Sequence, residues 1–378
     1  MHTIQTLRDM KPISADSHVV EPPDIFASRI DPKYRNIAPH GVDDEKRGAL
    51  YIVEGISPVA LGGAASAGIP ADQLKLEGRV FSALHRGGWD AKSRIADMDR
   101  DGVYAEIIYP SVGMAICDVP DVDYKRACMQ AYNRWLQEFC AGLPERLFGI
   151  GQSAARDPDT MLEDLRDIKE KGFKGIMIPS EPGVEDYDSP IYDKVWASAV
   201  EMDMPVCLHI LIKRTKQGNA FNHGTMRGGK LNGHMMAVRM LQDVLGVFMF
   251  GGVFDRHPEL KLVSVEADAG WVPHFTERAE HFYNRHRHWL QGRELKRTPK
   301  DVMHENVYLT FQDDRTALQV ADLLNPDRLL WASDYPHSDS TWPDSMPVLA
   351  ATSDGIDPAL IRQVVHDNVK ELFHLTLN

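Results

Sequence analysis

Short apolar runs alternate with longer segments whose apolar residues recur at helical spacing, and this rhythm covers most of the chain. Apolar runs of roughly four to eight residues predict buried strands. The first run begins at Ile13. The other predicted strands are Ala105–Tyr109, Phe148–Gln152, Gly175–Pro179, Val206–Leu211, Leu260–Glu266, Val307–Phe311 and Leu329–Ser333. Between them the sequence predicts helices over residues 124–143, 158–171, 190–202, 233–247, 272–285 and 315–324, with a last one over 358–375.

Continuous apolar strands that alternate with helices imply a parallel sheet covered on both faces. Eight such units in about 290 residues favour a closed (β/α)8 TIM barrel over an open doubly wound sheet, which carries a glycine-rich phosphate turn after its first strand. Neither a G-x-G-x-x-G nor a G-x-x-x-x-G-K-[ST] motif occurs, so the sequence gives nucleotide binding no support. We therefore predict an α/β fold in which residues 1–378 form a single barrel domain.

The segment after the first strand interrupts this rhythm. Residues 22–90 are rich in proline and include the glycine-rich stretch 61–68. Long structureless loops are uncommon inside compact domains and often act as lids or oligomer contacts. We predict an irregular insertion over residues 22–90 that covers the mouth of the barrel. After it, the sequence predicts a helix through Arg94 to Asp99 that stops at Gly102, because glycine readily adopts the conformation that ends helices.

Composition and charge exclude several classes of function. The 378 residues are 43% hydrophobic and 26% charged, as in ordinary globular proteins, and contain no run of about 18 apolar residues that could span a membrane. A net charge of −13 argues against general binding to nucleic acid, which needs concentrated Lys and Arg. The N-terminus lacks the pattern of a secretory signal, and the four cysteines lack the spacings of a zinc finger or redox motif. We expect a cytoplasmic protein with reduced thiols.

Candidate chemistry collects where the predicted strands end, which is where barrels of this kind build their active sites. Asp16 and His18 are two positions apart in the first strand, so both side chains point to the same side. Glu21 follows that strand, and three later strand ends carry His209, Glu266, Asp334 and His337. Each residue alone has an ordinary structural explanation, as a core histidine or a loop-capping acid. Together they predict a metal site, because a divalent ion compensates several buried carboxylates at once.

Four motifs stand out together. They are the opening Asp16-Ser17-His18-x-x-Glu21-Pro22, the His209 of the fifth strand, the run Gly-Gly-Val-Phe-Asp-Arg-His-Pro-Glu-Leu-Lys over 251–261, and the closing Ser333-Asp334-Tyr335-Pro336-His337. In these motifs the chain resembles the amidohydrolase-2 branch of the amidohydrolase superfamily. That branch contains aminocarboxymuconate-semialdehyde decarboxylase and related aromatic-acid decarboxylases and metal-dependent hydrolases.

The resemblance implies a divalent metal, zinc, manganese or iron, bound by Asp16, His18, His209 and Asp334. In that family the strand-eight aspartate, here Asp334, holds or deprotonates a metal-bound water. The sixth strand departs from the decarboxylase pattern, which has a histidine in a His-x-Gly-x-x-x-Pro run. Residues 266–273 here read Glu-Ala-Asp-Ala-Gly-Trp-Val-Pro, so the acid-base histidine of the family is missing or replaced by Glu266.

This substitution leaves the predicted ligand set rich in oxygen. Carboxylates combined with a few imidazoles suit iron or manganese, and the set could hold two ions. The predicted carboxylate ligands are Asp16, Glu21, Glu266 and Asp334. His223 and His234, in the glycine-rich stretch 222–234, are candidates for additional nitrogen ligands.

The leading hypothesis is a metal-dependent hydrolase or decarboxylase that acts on a small, carboxylate-bearing substrate. Asp334 would act as general base, and His337 or Glu266 would carry a proton. A dinuclear iron or manganese-iron oxygenase on the same fold is the alternative that the surplus of carboxylates favours. A second alternative is a non-catalytic structural partner of an active homologue.

Other residues near the predicted strand ends could contact the substrate. Lys213 and Arg214 directly follow the fifth strand, where either could bind a carboxylate. Trp89 and Trp271 could wall an aromatic or apolar substrate. The resemblance also implies a homo-oligomer.

Overall fold

The strands and helices follow the alternation of the sequence. The computed structural model describes residues 2–75, 77–212 and 230–377. Its strands are β1 Ile13–His18, β2 His40–Asp44, β3 Gly48–Ile52, β4 Val59–Ala60, β5 Ala105–Tyr109, β6 Leu147–Gly149, β7 Gly151–Gln152, β8 Ile176–Met177, β9 Val206–His209, β10 Leu262–Val265, β11 Val307–Phe311 and β12 Leu329–Trp331.

Helices connect the strands and cover the sheet. They are α1 Ile4–Asp9, α2 Ala91–Asp101, α3 Val112–Ile116, α4 Val122–Ala141, α5 Pro158–Glu170, α6 Asp193–Glu201, α7 Lys230–Phe250, α8 Val253–Arg256, α9 Val272–His286, α10 Pro299–Asn306, α11 Arg315–Gln319, α12 Ser345–Thr352, α13 Pro358–Arg362 and α14 Asn368–Leu372. Among the described residues, no helix is long and apolar enough to cross a membrane.

The parallel strands follow one another in the order β1, β5, β6 and then β7, β8, β9, β10, β11, β12. One residue, Ile150, separates β6 from β7. Its N–H donates to Ile108 O at 2.9 Å, and the N–H of Gly151 donates to Gly175 O at 3.1 Å. The two segments therefore act as one strand that pairs with β5 on one side and with β8 on the other.

Hydrogen bonds between the chain after β12 and the end of β1 bring the two edges of the sheet together. The N–H of Asp334 donates to Asp16 O at 3.0 Å, and the N–H of His18 donates to Tyr335 O at 2.6 Å. Counting β6 and β7 as one, eight parallel strands form a ring, as a (β/α)8 barrel requires. The predicted TIM barrel is confirmed.

Several predicted elements are shorter than expected. The fifth predicted strand ends at His209, and Leu211 already has a φ of 66°, a left-handed conformation outside strand geometry. Glu266 likewise lies just after β10 with a φ of 59°. The prediction that α2 ends at Gly102 is confirmed, since Gly102 caps it with a φ of 91°.

The prediction that residues 22–90 are irregular is wrong in part. Strands β2, β3 and β4 form an antiparallel sheet inside this segment. Its inner strand β3 is largely buried, and Tyr51 of that strand donates to Pro22 O at 2.7 Å. The flanking prolines and glycines hid a sheet whose strands are only two to five residues long.

The same insertion contacts the loop that follows β12. The amides of Ser66 and Ala67 donate to Pro336 O at 3.1 and 3.0 Å, and the N–H of Ser338 donates to Gly63 O at 2.8 Å. Because β12 ends immediately before this loop, the insertion packs at the carboxyl end of the barrel.

Candidate metal centre

Two imidazole rings face each other at the carboxyl ends of β1 and β9. Nδ1 of His18 donates to Pro110 O at 2.9 Å, and Nδ1 of His209 donates to Ile210 O at 3.0 Å. A carbonyl oxygen only accepts, so each Nδ1 carries a proton and Nε2 of the neutral ring carries a lone pair. The two Nε2 atoms are 3.2 Å apart. A cation bound at both nitrogens would convert this repulsive contact into coordination.

Three carboxylates surround these nitrogens. Asp16 Oδ1 lies 3.3 Å from Nε2 of His18, and Asp334 Oδ1 lies 3.2 Å from the same nitrogen. Glu266 Oε2 lies 3.3 Å from Nε2 of His209. Apart from these and other imidazole contacts, both carboxylate oxygens of Asp16 and Asp334, and Oε2 of Glu266, are buried without a hydrogen-bond partner. Buried carboxylates without partners are costly, and a divalent ion compensates them, so this donor set fits such an ion.

The potential ligand atoms form two overlapping groups, and within each group they all lie within 4.8 Å of one another. One group contains Asp16, His18, His209 and Glu266. The other contains His18, Glu266, Asp334 and His337. Six of the seven residues that the sequence places at the predicted strand ends are thus brought together. Because the groups share His18 and Glu266, the arrangement has donors for one ion or for two adjacent ions.

The backbone aims two of these carboxylates inward from strained positions. Glu266 and Asp334 have φ values of 59° and 54°, in the left-handed region that residues other than glycine rarely adopt. The N–H of Glu266 donates to Thr310 Oγ1 at 2.8 Å, while the N–H of Asp334 donates to Asp16 O. Such conformations persist where the surroundings fix them, and they cluster at functional sites.

The carboxyl groups differ in their affinity for protons. Burial raises the pKa of Glu266 well above its usual range, and the charges of Asp334 and Asp16 raise it further. Burial also opposes ionisation of Asp16, but the imidazoles of His18 and His209 outweigh it and hold the pKa of Asp16 well below its usual range. The crowding of these carboxyls disfavours the ionised form of Glu266, and a divalent cation bound among them would offset that repulsion.

His337 connects this cluster to a serine that the sequence analysis missed. Nδ1 of His337 lies 3.0 Å from Asp334 Oδ1, and Nε2 lies 3.0 Å from Ser111 Oγ. The ring of His337 stacks on that of His18, with centroids 3.8 Å apart. Burial lowers the pKa of His337, although Asp334 opposes this. Ser111 follows the end of β5 by two residues, and this position at a strand end is the signal that could have identified it.

Arg94 of α2 is a second residue that the sequence analysis missed. Its guanidinium is fully buried, pairs with Glu106 of β5 and donates to His18 O at 2.7 Å and Gly87 O at 3.3 Å. It also lies over the ring of Tyr335 at 4.9 Å. One side chain thus joins α2, β5, the end of the insertion and the segments that carry His18 and Asp334.

Glu21, predicted as a metal ligand, lies outside both groups. Its carboxylate accepts the N–H groups of Val112 at 2.9 Å and Gly113 at 3.0 Å, at the start of α3. Burial raises its pKa, although these two hydrogen bonds act in the opposite direction. Because Glu21 lies beyond the end of β1, the alternation that aligns Asp16 with His18 does not extend to it. The structure gives its carboxylate amide partners in place of the predicted metal.

The predicted substrate-contacting residues are only partly described. Trp89 packs on Phe81 with ring centroids 4.5 Å apart, and Nε1 of Trp271 donates to Ala267 O at 2.8 Å. Neither belongs to the two ligand groups. Lys213, Arg214 and His223 lie outside the described residues, as does the side chain of His234 on α7.

Comparison with known proteins gives matches along nearly the whole chain. A family profile described as amidohydrolase matches residues 31–375. The decarboxylase orsB of Emericella nidulans is 28% identical over 203 residues, which are 51% of this chain. The match spans only 59% of that decarboxylase.

Solved structures agree with the barrel. An amidohydrolase from Mycobacterium avium subsp. paratuberculosis K-10 superimposes with a TM-score of 0.75 at 23% identity, over 96% of this chain and 99% of that chain. The 5-carboxyvanillate decarboxylase of Novosphingobium aromaticivorans, complexed with manganese and 4-hydroxy-3-methoxy-5-nitrobenzoic acid, gives a TM-score of 0.70 at 19% identity. That match covers 97% of each chain. At such identities the likeness concerns the fold.

Proposed function

The chain belongs to the amidohydrolase family, and we propose that it is a divalent-metal-dependent decarboxylase of a small aromatic carboxylate. The observation that carries the metal dependence is the 3.2 Å contact between the Nε2 atoms of His18 and His209, surrounded by the buried carboxylates of Asp16, Asp334 and Glu266. The decarboxylase relative and the manganese in a similarly folded decarboxylase support the choice of reaction and metal.

Asp16, His18, His209 and Glu266 would hold the ion, with Asp334 at its edge. When bound, a divalent cation supplies positive charge that binds and polarises the substrate carboxylate. Decarboxylation breaks a carbon–carbon bond and leaves an electron pair on carbon, which takes up a proton as carbon dioxide leaves. We assign Asp334 as the general base, which also orients His337. We assign His337 or Glu266 as the residue that delivers the proton to the substrate carbon.

The substrate-contacting residues complete the proposal. Trp271 follows Glu266 by five residues, and Trp89 adjoins Gly88, whose carbonyl accepts the N–H of Val20 at 2.9 Å. Both tryptophans lie close along the chain to segments that carry proposed metal ligands, and we assign them to the side of the pocket that contacts the aromatic ring of the substrate. Lys213 or Arg214 would bind an anionic substituent. Lys213→Met should then raise KM and leave kcat nearly unchanged, because the lost interaction stabilises the bound substrate and the transition state equally.

The test uses protein stripped with a chelator and reconstituted with Mn²⁺ or Zn²⁺ under nitrogen. The probes are 5-carboxyvanillate and 2,6-dihydroxybenzoate, and the readouts are carbon dioxide release and the change in aromatic absorbance. We expect carbon dioxide release that depends on the metal and does not need oxygen. Asp334→Asn should abolish this release. Hydrolysis of aryl esters or lactones without any carbon dioxide release would instead identify a hydrolase. Absence of both reactions in metal-loaded, folded protein would favour the non-catalytic alternative.

The overlap of the two ligand groups favours a dinuclear oxygenase as the second candidate function. Metal analysis of protein purified without chelator separates the two candidates. Two ions per chain with iron among them, and turnover that needs oxygen and a reductant, would support the oxygenase. In that case His337→Ala, which alters only one of the two ligand groups, should remove one ion and leave the other, whereas a single ion per active chain would exclude the oxygenase.

We also propose a cytoplasmic location and a homo-oligomeric state. The reduced-thiol pattern of the sequence supports the location, because the described cysteines are all free. Fractionation of the native host would test it.

A further inference from the structure

A carboxylate of α2 links the insertion to the segment that carries Asp334 and His337. Oδ2 of Asp97 accepts two hydrogen bonds, one from Nε2 of His85 at 2.9 Å and one from the hydroxyl of Tyr335 at 2.6 Å. His85 belongs to the insertion, and Tyr335 directly follows Asp334. We call His85, Asp97 and Tyr335 the Asp97 network. It joins three separate parts of the chain immediately beside a proposed metal ligand.

The carboxylate of this network is ionised, and its partners are held by further contacts. Burial opposes ionisation of Asp97, but the hydrogen bonds from His85 and Tyr335 outweigh it and lower the pKa of Asp97. The guanidinium of Arg94 lies over the ring of Tyr335 at 4.9 Å. The ring of His85 contacts that of Trp342 edge-on, with centroids 4.7 Å apart, and Nε1 of Trp342 donates to Asp97 O at 3.2 Å. Because hydrogen bonds to an ionised group are stronger than neutral ones, Asp97 holds the hydroxyl of Tyr335 firmly.

Backbone hydrogen bonds connect the same segment to the first strand. Tyr335 O accepts the N–H of His18 at 2.6 Å, and the N–H of Asp334 donates to Asp16 O at 3.0 Å. The N–H of His337 donates to Asp334 O at 3.0 Å. Asp334 has a φ of 54°, a conformation that persists only where the surrounding structure fixes it. Tyr335 is fixed on both sides, by its backbone on β1 and by its side chain on α2.

The end of the insertion lies directly against this network. A Cβ on Gly87 would lie 1.8 Å from the hydroxyl oxygen of Tyr335 and 2.6 Å from Oδ2 of Asp97. Only glycine therefore leaves room at this position for the hydrogen bond between the two side chains. The hydrogen bond that holds Tyr335 thus depends on two residues of the insertion, since His85 shares the same acceptor and Gly87 provides the space.

We propose that Asp97 is a positioning residue for the candidate metal centre. With His85 it fixes the side chain of Tyr335, and that side chain in turn sets the orientation of Asp334 and His337. The role rests on the proposed function, because it acts on residues that would hold the ion or carry the proton. Asp97 itself belongs to neither ligand group. Loss of a contact that orients a metal ligand typically weakens metal binding about 10–100-fold.

Variants that remove a hydroxyl, a carboxylate or free space test this role. Tyr335→Phe removes only the hydroxyl, and Asp97→Ala removes its acceptor. Both should raise the Kd for Mn²⁺ about tenfold or more in a titration of the full chain. Gly87→Ala should act in the same direction, because its methyl group displaces the hydroxyl. Asp97→Asn keeps an oxygen that accepts from Tyr335, so it should retain most of the affinity that Asp97→Ala loses.

Two variants serve as matched controls. Tyr187 is also buried, and its hydroxyl donates to Pro179 O at 2.7 Å, outside the ligand groups. Tyr187→Phe should lower the free energy of unfolding as Tyr335→Phe does, yet keep the wild-type Kd for Mn²⁺. Gly142→Ala adds a methyl group where a Cβ has open space, and it should also keep that Kd.

Amide hydrogen exchange of the metal-free protein provides a readout that needs neither the ion nor turnover. Tyr335→Phe should accelerate exchange within residues 333–338 about tenfold, the equivalent of one hydrogen bond to a charged group, whereas Tyr187→Phe should not. Unchanged exchange in this segment would overturn the proposal, and so would an unchanged Kd in both Tyr335→Phe and Asp97→Ala. A wild type that binds no Mn²⁺ would overturn the proposed function together with this role. The two failures are therefore distinguishable.

Discussion

The two histidines of the ligand cluster are oriented by hydrogen bonds on the side away from the centre. The Nδ1–H groups of His18 and His209 donate to backbone carbonyls, so the Nε2 atoms of both rings point inward. The backbone N–H of Asp334 donates to Asp16 O, and its carboxylate faces Nε2 of His18 and Nδ1 of His337. Outer contacts of this kind determine which tautomer and which oxygen a metal meets.

Ser111 provides a test at the level of a single hydroxyl. Its Oγ lies 3.0 Å from Nε2 of His337, whose other nitrogen contacts Asp334. Ser111→Ala removes one hydrogen bond from the histidine without touching the groups that would hold the ion. We expect kcat to fall about tenfold, the equivalent of one hydrogen bond, while metal affinity stays unchanged.

The matched control is Ser153→Ala, because Ser153 is equally buried and hydrogen-bonds a carboxylate, Asp164, outside the cluster. It should lower stability without a specific loss in kcat. Steady-state kinetics and metal titration of both variants give the answer. An equal loss of kcat in the two variants would show that Ser111 has only a packing role.

At the scale of elements, Arg94 links α2 to the strand that carries His18. Arg94→Met leaves Glu106 buried without its partner, and removal of one member of a buried pair costs about 3–5 kcal/mol. It also removes the donor to His18 O. The double variant Arg94→Met with Glu106→Gln should regain much of the free energy of unfolding, because no uncompensated charge remains.

The same double variant should not regain metal affinity. His18 O and Gly87 O still lack their donor, so we expect binding of Mn²⁺ to remain about tenfold or more weaker than in the wild type. Isothermal titration with Mn²⁺ and chemical unfolding are measured on the same samples. Full recovery of metal affinity together with stability would show that Arg94 acts only through folding.

Asp101, at the end of α2, gives a prediction about pH. Its carboxylate accepts the N–H of Ser345 at 2.9 Å and the hydroxyl of the same residue, and burial raises its pKa to about 6. A raised folded-state pKa contributes stability at pH values below the ordinary pKa near 3.8, and this contribution is lost as the pH rises through about 6.

Asp101→Asn removes this titration and keeps an acceptor for the amide of Ser345. Relative to the variant, the wild type should therefore lose about 1–3 kcal/mol of unfolding free energy between pH 4 and pH 7. Urea unfolding at several pH values measures the difference. Parallel pH profiles for the two proteins would contradict the assignment of the raised pKa to Asp101.

Elements with strong periodicity could be predicted from sequence, and those held by tertiary contacts could not. The runs Ala105–Tyr109 and Val307–Phe311 have the same bounds as β5 and β11, because they consist mainly of apolar and aromatic residues and are buried along their whole length. The short strands of the insertion have no such signal. The five-residue helix α3 owes part of its start to Glu21, which is remote in sequence from it. The alternation of side chains in a strand predicted that Asp16 and His18 lie on the same side. No feature of the sequence around Glu21 distinguished it from a metal ligand.

At the scale of the whole molecule, the proposed ion and the closure of the barrel involve the same segments. Asp16 and His18 belong to β1, and Asp334 follows β12, so the two hydrogen bonds that join these edges flank the ligand cluster. His209 and Glu266 come from β9 and β10. An ion held by these residues would therefore connect four of the eight barrel strands.

Removal of the metal should consequently lower the stability of the entire barrel. A ligand that binds only the folded state adds about 2.7 kcal/mol when its free concentration is 100 times Kd, and here it would also relieve the repulsion among buried carboxylates. We expect a chelator to lower Tm by several degrees in one cooperative transition, and Mn²⁺ to restore it. His209→Ala should start from a lower Tm and respond to neither reagent.

Glu21→Gln is the informative comparison, because Glu21 accepts hydrogen bonds from the amides at the start of α3. This variant should be less stable than the wild type, yet its Tm should respond fully to chelator and Mn²⁺. If Glu21→Gln lost that response as His209→Ala does, Glu21 would have to be counted among the metal ligands.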